Sequence, residues 1–115
     1  MAKTSNLSEW LPDNVTFHEK ALSDFLRLDR SMQIPVAKAI KKVAENPKPI
    51  SEGGYGKPLG NRYASDLTTL LKVKLVKQGI RIVYRLIREG DRMYIIVIGV
   101  RSDEEVYKEA ARRLK

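Results

Sequence analysis

"LLKVKLVKQGIRIVYRLI", residues 70–87, alternates apolar and polar side chains on either side of Gln78-Gly79, the pattern of two β-strands joined by a tight turn. Successive strand residues point to opposite faces, so Leu71, Val73 and Leu75 form one apolar row and Ile80, Ile82, Tyr84 and Leu86 another. Placing both rows on one core face requires a two- or four-residue connection and brings Lys74 across from Arg81. Lys72 and Arg85 then share that outer face with Val83. Like charges opposed across a ladder are destabilising, and neither strand carries an Asp or Glu to relieve them. A solvated basic face would account for any one of these residues. Four cations on adjacent strands with no interleaved carboxylate point instead to a surface that binds phosphate.

Downstream, "RMYIIVIGVR" (92–101) follows a turn at Glu89-Gly90-Asp91 and is apolar on both faces, which predicts a central strand. It delivers Arg101 at its end. "RSDEEVYKEAARRLK" (101–115) then opens with a capping box, Ser102 followed three residues later by Glu105, and predicts a helix over 103–113. Tyr107 falls in the early turns of that helix, at the same end of the sheet.

Upstream, "NVTFHEKALSDFLRLD" (14–29) begins with a short extended piece and then sets Ala21, Leu22, Phe25 and Leu28 at helical spacing, predicting a helix near 18–28. "RSMQIPVAKAIKKVAENP" (30–47) repeats the pattern, with Met32, Val36, Ile40 and Val43 opposite Lys38, Lys41 and Lys42. Pro35 suits only a first turn, so this second helix should start close to it or kink there. Between the helical and the sheet-forming halves lies a Gly- and Pro-rich loop over 46–66. The expected fold is α+β, in the order β-α-α-β-β-β-α: an antiparallel-rich sheet packed by an N-terminal helical hairpin and a C-terminal helix.

A chain of 115 residues suits one domain, expected over 15–115. Residues 1–14 should form an N-terminal arm, either flexible or packed through Trp10. The net charge of +8, from 22 Lys and Arg against 14 Asp and Glu, favours a polyanionic partner. No apolar stretch is long enough to cross a bilayer, the first residues lack a secretory signal and there is no cysteine, so a cytoplasmic protein with no membrane association is expected.

Three motifs fall in a telling order: K-x-K-L at Lys72–Leu75, G-x-R-I-V-Y at Gly79–Tyr84, and I-G-x-R-x-x-x-x-V-Y at Ile98–Tyr107. Together, over residues 15–113 and including the "KPLGN" piece before the sheet, they resemble the RelE branch of the bacterial RelE/ParE toxin superfamily. The resemblance implies the toxin of a type II toxin–antitoxin system, an endoribonuclease that cleaves messenger RNA, generally in the ribosomal A site, without metal or other cofactor. It implies a cognate antitoxin as partner, whose acidic, flexible segment folds onto the toxin.

By that resemblance the catalytic positions are Lys72, Lys74, Arg81, Arg101 and Tyr107, with Arg85 and Lys77 as further RNA contacts. Arg81 is the candidate for the scissile phosphate, since a guanidinium fork matches two phosphate oxygens. Lys72 or Lys74 is the candidate for proton transfer, because neighbouring positive charge favours a lysine's neutral form. Arg101 would stabilise the pentavalent phosphorus or assist the leaving oxygen, and Tyr107 would orient the 2′-hydroxyl or stack on a base. His18, the single histidine, lies away from this cluster and reads as structural or exposed. Ile80 replaces an aromatic residue of many relatives, a change a core-facing strand position accepts. A metal site is not indicated: no cysteine, second histidine or carboxylate cluster has ligand spacing. Two alternatives remain: a ParE-like inhibitor of DNA gyrase acting by protein binding, and a nucleic-acid-binding module without chemistry.

Overall fold

The structure, a computed structural model, describes residues 11–60 and 67–114. Among these, the elements run β1 (Val15–Phe17), α1 (Glu19–Arg27), α2 (Arg30–Ala44), a 3-10 turn (Ile50–Glu52), β2 (Lys57–Gly60), β3 (Leu67–Leu75), β4 (Ile80–Ile87), β5 (Arg92–Gly99) and α3 (Asp103–Arg113). The strands form one sheet in the order β1-β5-β4-β3-β2, with β1 parallel to β5 and the other pairs antiparallel. The α+β expectation and the helical hairpin are present. No helix among the described residues is long and apolar enough to cross a membrane.

Alternation sorts the side chains onto two cores, one on each face of the sheet. Leu71, Ile80, Ile82, Tyr84, Met93, Ile95 and Ile98 pack against Ala21 and Phe25 of α1 and Val36, Ala37, Ile40 and Val43 of α2. On the other face Leu59, Leu70, Val83, Ile96 and Val97 pack against Val106, Tyr107 and Ala110 of α3. A β-bulge makes the second core possible: Val83 pairs with Val97 and Tyr84 with Ile95, so Ile96 is the extra residue and both it and Val97 turn to α3.

The four-residue connection over 76–79 gives the register expected from the apolar rows: Leu75 opposite Ile80, Val73 opposite Ile82, Lys74 opposite Arg81. Gly79 closes this turn at φ +66°, a conformation that favours glycine. β5 is interior, flanked by β1 and β4, as its two apolar faces require, while β4 takes the geometric centre.

Two local expectations are corrected. The loop over 46–66 contains a strand: β2 adds to the free side of β3 with Lys57 opposite Lys72 and Pro58 opposite Leu71, and residues 61–66 lie outside the described part. Being an edge strand, β2 tolerates a proline that lacks a ladder donor. Helix α2 starts at Arg30, with Asp29 at its N-cap, so Pro35 sits in the second turn rather than the first. As a proline it cannot donate the ladder bond to the carbonyl of Ser31, and Ser31 is an exposed residue.

Of the expected N-terminal arm, residues 1–10, with Trp10, lie outside the described part. Leu11 packs against the hairpin core, and Asn14 Nδ2 donates to the carbonyls of Ala44 (2.9 Å) and Asp91 (3.0 Å), joining the chain's entry to the end of α2 and the β4–β5 turn. Tyr84 donates its hydroxyl to the carbonyl of Pro47 at 2.7 Å, and burial raises its pKa above the ordinary phenol value.

Candidate active site

The basic row lies on the face that α3 partly covers. Lys72, Lys74, Arg81 and Arg85 occupy alternate positions there, and the register extends the row beyond the central hairpin: Lys57 on β2 pairs with Lys72, and Arg81 pairs with Gly99 of β5. Helix α3 covers the apolar part, over Val83, Ile96 and Val97. The cations therefore border the start of the helix.

Glycine at 99 sets how closely α3 approaches. A Cβ there would lie 2.8 Å from Val106 Cγ2, so a side chain would push the first turn of α3 away from β5. With Gly99 opposite Arg81, this approach carries Asp103, the first residue of α3, to the strand cations. Arg81 Nε donates to Asp103 Oδ1, and Lys74 Nζ donates to Asp103 Oδ2 at 3.3 Å. The Arg81 guanidinium holds the Asp103 carboxyl below the usual carboxylate range; burial opposes this less strongly, and Lys74 adds to the lowering. Arg81 Nη1 donates to the carbonyls of Arg101 (2.7 Å) and Gly79 (3.3 Å), so the guanidinium is fixed by backbone as well as by a carboxylate. Ser102 Oγ accepts from Glu105 N at 3.3 Å, the cap expected from sequence, and the acidic first turn suits the helix dipole.

Lys72 lies with Nζ 5.4 Å from the centre of the Tyr107 ring, a cation–π arrangement. Tyr107 is fully buried. To stack on a base or reach a 2′-hydroxyl, as the sequence suggested, it would need a shift of α3; in this structure its ring is a floor for Lys72. The Arg101 side chain is not gathered with the others. It is 76% exposed and pairs with Glu105 at 3.9 Å, at the rim of a separate groove of about 630 Å³ between α1, the end of β5 and α3. Only its carbonyl joins the site.

Arg85, opposite Leu70 and Tyr94, is half-buried at the far end of the row, and Lys77 is exposed in the β3–β4 turn. His18 caps α1, its Nδ1 accepting from Lys20 N at 3.0 Å, and takes no part in this cluster.

The structure thus brings together Lys72, Lys74, Arg81 and Tyr107 and adds two residues that sequence reasoning passed over. Lys57 sat in a stretch read as loop; alternation with Leu59 is the signal that would have placed it. In the sequence Asp103 stands out only as part of a helix start. The absence of any acid in two basic strands was a cue to look for one elsewhere, but pairing it with Arg81 needs the three-dimensional path of β5 into α3. Chemically, three ammonium groups and a fixed guanidinium along one ladder can bind consecutive phosphates and stabilise charge that develops on one of them.

No family model matches the chain. The mRNA interferase toxin RelE of Escherichia coli is 30% identical over 98 residues, a match covering 85% of this chain and 93% of that protein. The mRNA interferase RelE of Shigella flexneri matches to the same extent. Among solved structures, the isolated E. coli RelE toxin superposes with a TM-score of 0.62 at 28% identity, over 88% of this chain and 97% of that one. A chain of the intact E. coli RelBE toxin–antitoxin complex superposes with a TM-score of 0.57 at 25% identity, over 76% and 95%.

Proposed function

The chain belongs to the RelE toxin family, and from that premise we propose that it is the toxin of a type II toxin–antitoxin system and acts in the cytoplasm as an endoribonuclease on messenger RNA, presented by the ribosome. The observation that carries this reading is the ladder pairing of Lys74 with Arg81, and of Lys72 with Lys57, on the face that α3 covers only in part.

The reaction that suits these groups is transfer within the RNA. The 2′-hydroxyl oxygen attacks the adjacent phosphorus and loses its proton, the bond to the 5′-oxygen breaks, and that oxygen takes up a proton, leaving a 2′,3′-cyclic phosphate and a 5′-hydroxyl. The substrate supplies the nucleophile, so the protein contributes positioning, charge stabilisation and proton transfer. Arg81 is assigned to the scissile phosphate. Lys72 and Lys74 are assigned to proton transfer and to the non-bridging oxygens, Lys72 steadied by the ring of Tyr107. Arg101 is assigned to the leaving side, which its long exposed side chain can reach after parting from Glu105. Arg85 and Lys77 extend the track for neighbouring phosphates, and Lys57 joins them. A cognate antitoxin is the expected protein partner.

Induction of the wild-type chain in bacteria should arrest growth and create new messenger-RNA 5′ ends inside reading frames, mapped by primer extension. An Arg81→Ala, Arg101→Ala double variant should give neither. Growth arrest without new ends, equal for both proteins, would overturn the ribonuclease reading in favour of a protein target.

A further inference from the structure

The guanidinium of Arg81 has five N–H groups, and three are engaged: Nε–H by Asp103 Oδ1, and those of Nη1 by the carbonyls of Arg101 and Gly79. A bidentate grip on phosphate needs two N–H groups on one edge of the guanidinium. Both edges that include Nη2 are blocked on one side, one by backbone carbonyls and one by a carboxylate. The carbonyls cannot leave without moving the sheet and the start of α3. The carboxylate is on a short side chain that is 29% exposed, and the Lys74 side chain it also binds is 40% exposed. The Asp103 edge is therefore the one that can open.

We propose that Asp103 is an internal counter-ion standing where a substrate phosphate binds, so that RNA binding exchanges one carboxylate for one phosphate across Lys74 and Arg81. This rests on the reading of the basic face as a phosphate site and adds a regulation to it. In the free protein the carboxylate relieves the repulsion of Lys74 opposite Arg81, which the strands themselves leave uncompensated. When a phosphate enters, it takes over both cations, and Asp103 turns to solvent at the first position of α3, where the helix dipole still favours a negative charge. The exchange makes weak anions poor ligands and reserves the site for a polyanion that brings several phosphates along the row.

Asp103→Asn keeps the size and the accepting oxygen but removes the charge. The probes are inorganic phosphate, followed through the Arg81 Nε–H resonance, and an all-2′-deoxy single strand, which lacks the attacking hydroxyl and stays intact. The variant should bind both probes tighter at low salt, by about fivefold, the size of one exposed ion pair. For the single strand, the slope of log affinity against log salt should steepen by up to about 0.7, because the variant has no freed carboxylate to take up a cation as the phosphate enters. Asp103→Ser, which has no amide to mimic the carboxylate, should move both quantities in the same direction, and circular dichroism checks that both variants fold.

Unchanged or weaker binding by folded variants, or no phosphate binding by wild type and variants alike, overturns the proposal. Cleavage of messenger RNA by the wild type is scored separately. Tighter phosphate binding without any cleavage leaves the counter-ion standing and removes the ribonuclease reading. Cleavage with no change in phosphate affinity does the reverse.

Discussion

Helix α3 is tied to the rest of the molecule by a carboxylate–guanidinium pair at each end, and the two pairs differ mainly in their access to water. At the C-terminal end Arg113 meets Asp24 of α1 at 2.8 Å, with side chains 9% and 8% exposed. Asp24 also accepts from Ile98 N, and Arg113 donates to the carbonyl of Ile96 and to Glu109, so protein groups engage both partners on several sides. Burial works against the charge of Arg113, but Asp24 and Glu109 hold its pKa above the ordinary value. At the N-terminal end Asp103 meets Arg81 and Lys74 within reach of solvent. The same chemistry builds a fixed clasp where it is enclosed and an exchangeable contact where it is open. Exposure to water is what separates the two pairs.

The strongest way to break that comparison is to remove one partner at each end. Asp24→Ala leaves Arg113 buried without its main counter-ion and should cost about 3–5 kcal/mol in denaturant unfolding. Replacing both partners by apolar residues, Asp24→Leu with Arg113→Met, should recover much of that loss. A loss below about 1 kcal/mol for Asp24→Ala, the size of an exposed pair, would mean the enclosed end is no different in kind.

At the open end the balance should invert. Arg81→Ala should lower messenger-RNA cleavage by about 10²–10³, the effect of removing one preorganised donor from developing charge, while stability changes little. Primer extension and thermal unfolding on the same preparation read the two effects. A large stability loss with cleavage per folded molecule intact would make Arg81 a second clasp rather than a site residue.

The two ends were also unequally legible in the sequence. The β3–β4 register could be read because alternation leaves a single way to bury both apolar rows, and Ser102 with Glu105 announced the helix start because capping is local. Asp24 resembles any polar residue on the outside of an amphipathic helix; its burial arises because Arg113, 89 residues later, arrives beside it. Lys57 was hidden because Gly and Pro mark loops and short edge strands alike. Motif order places Arg101 in the cluster, yet its side chain turns to Glu105. Local chemistry was readable, and contacts set by where α3 lands were not.

A test of intermediate size addresses what holds the open end in reach. Gly99→Ala puts a methyl group 2.8 Å from Val106 Cγ2 and should cost about 1–3 kcal/mol as the start of α3 is pushed outward. Because that shift separates Asp103 from Arg81, the variant should also bind phosphate more like Asp103→Asn than like the wild type. The enclosed end, fixed by Asp24, should keep its hydrogen-exchange protection at Arg113.

The smallest effect sharpens the comparison by pH. The folded-state pKa of Asp103 is depressed, first by Arg81 and then by Lys74, so its contribution to stability is present above the unfolded-state value of about 3.9 and is lost as pH falls through the folded-state value. With the pair partly exposed, that contribution should stay below about 1 kcal/mol. Urea midpoints of the wild type and Asp103→Asn should therefore differ by a small, constant amount from pH 7 down to about pH 5 and converge below about pH 4. Salt at 1 M, where the Debye length is about 3 Å, should shrink the gap at pH 7 as well. A difference that persists undiminished at pH 2 and in high salt would assign Asp103 a packing or capping role, since only a carboxylate acting through its charge loses its effect under both conditions.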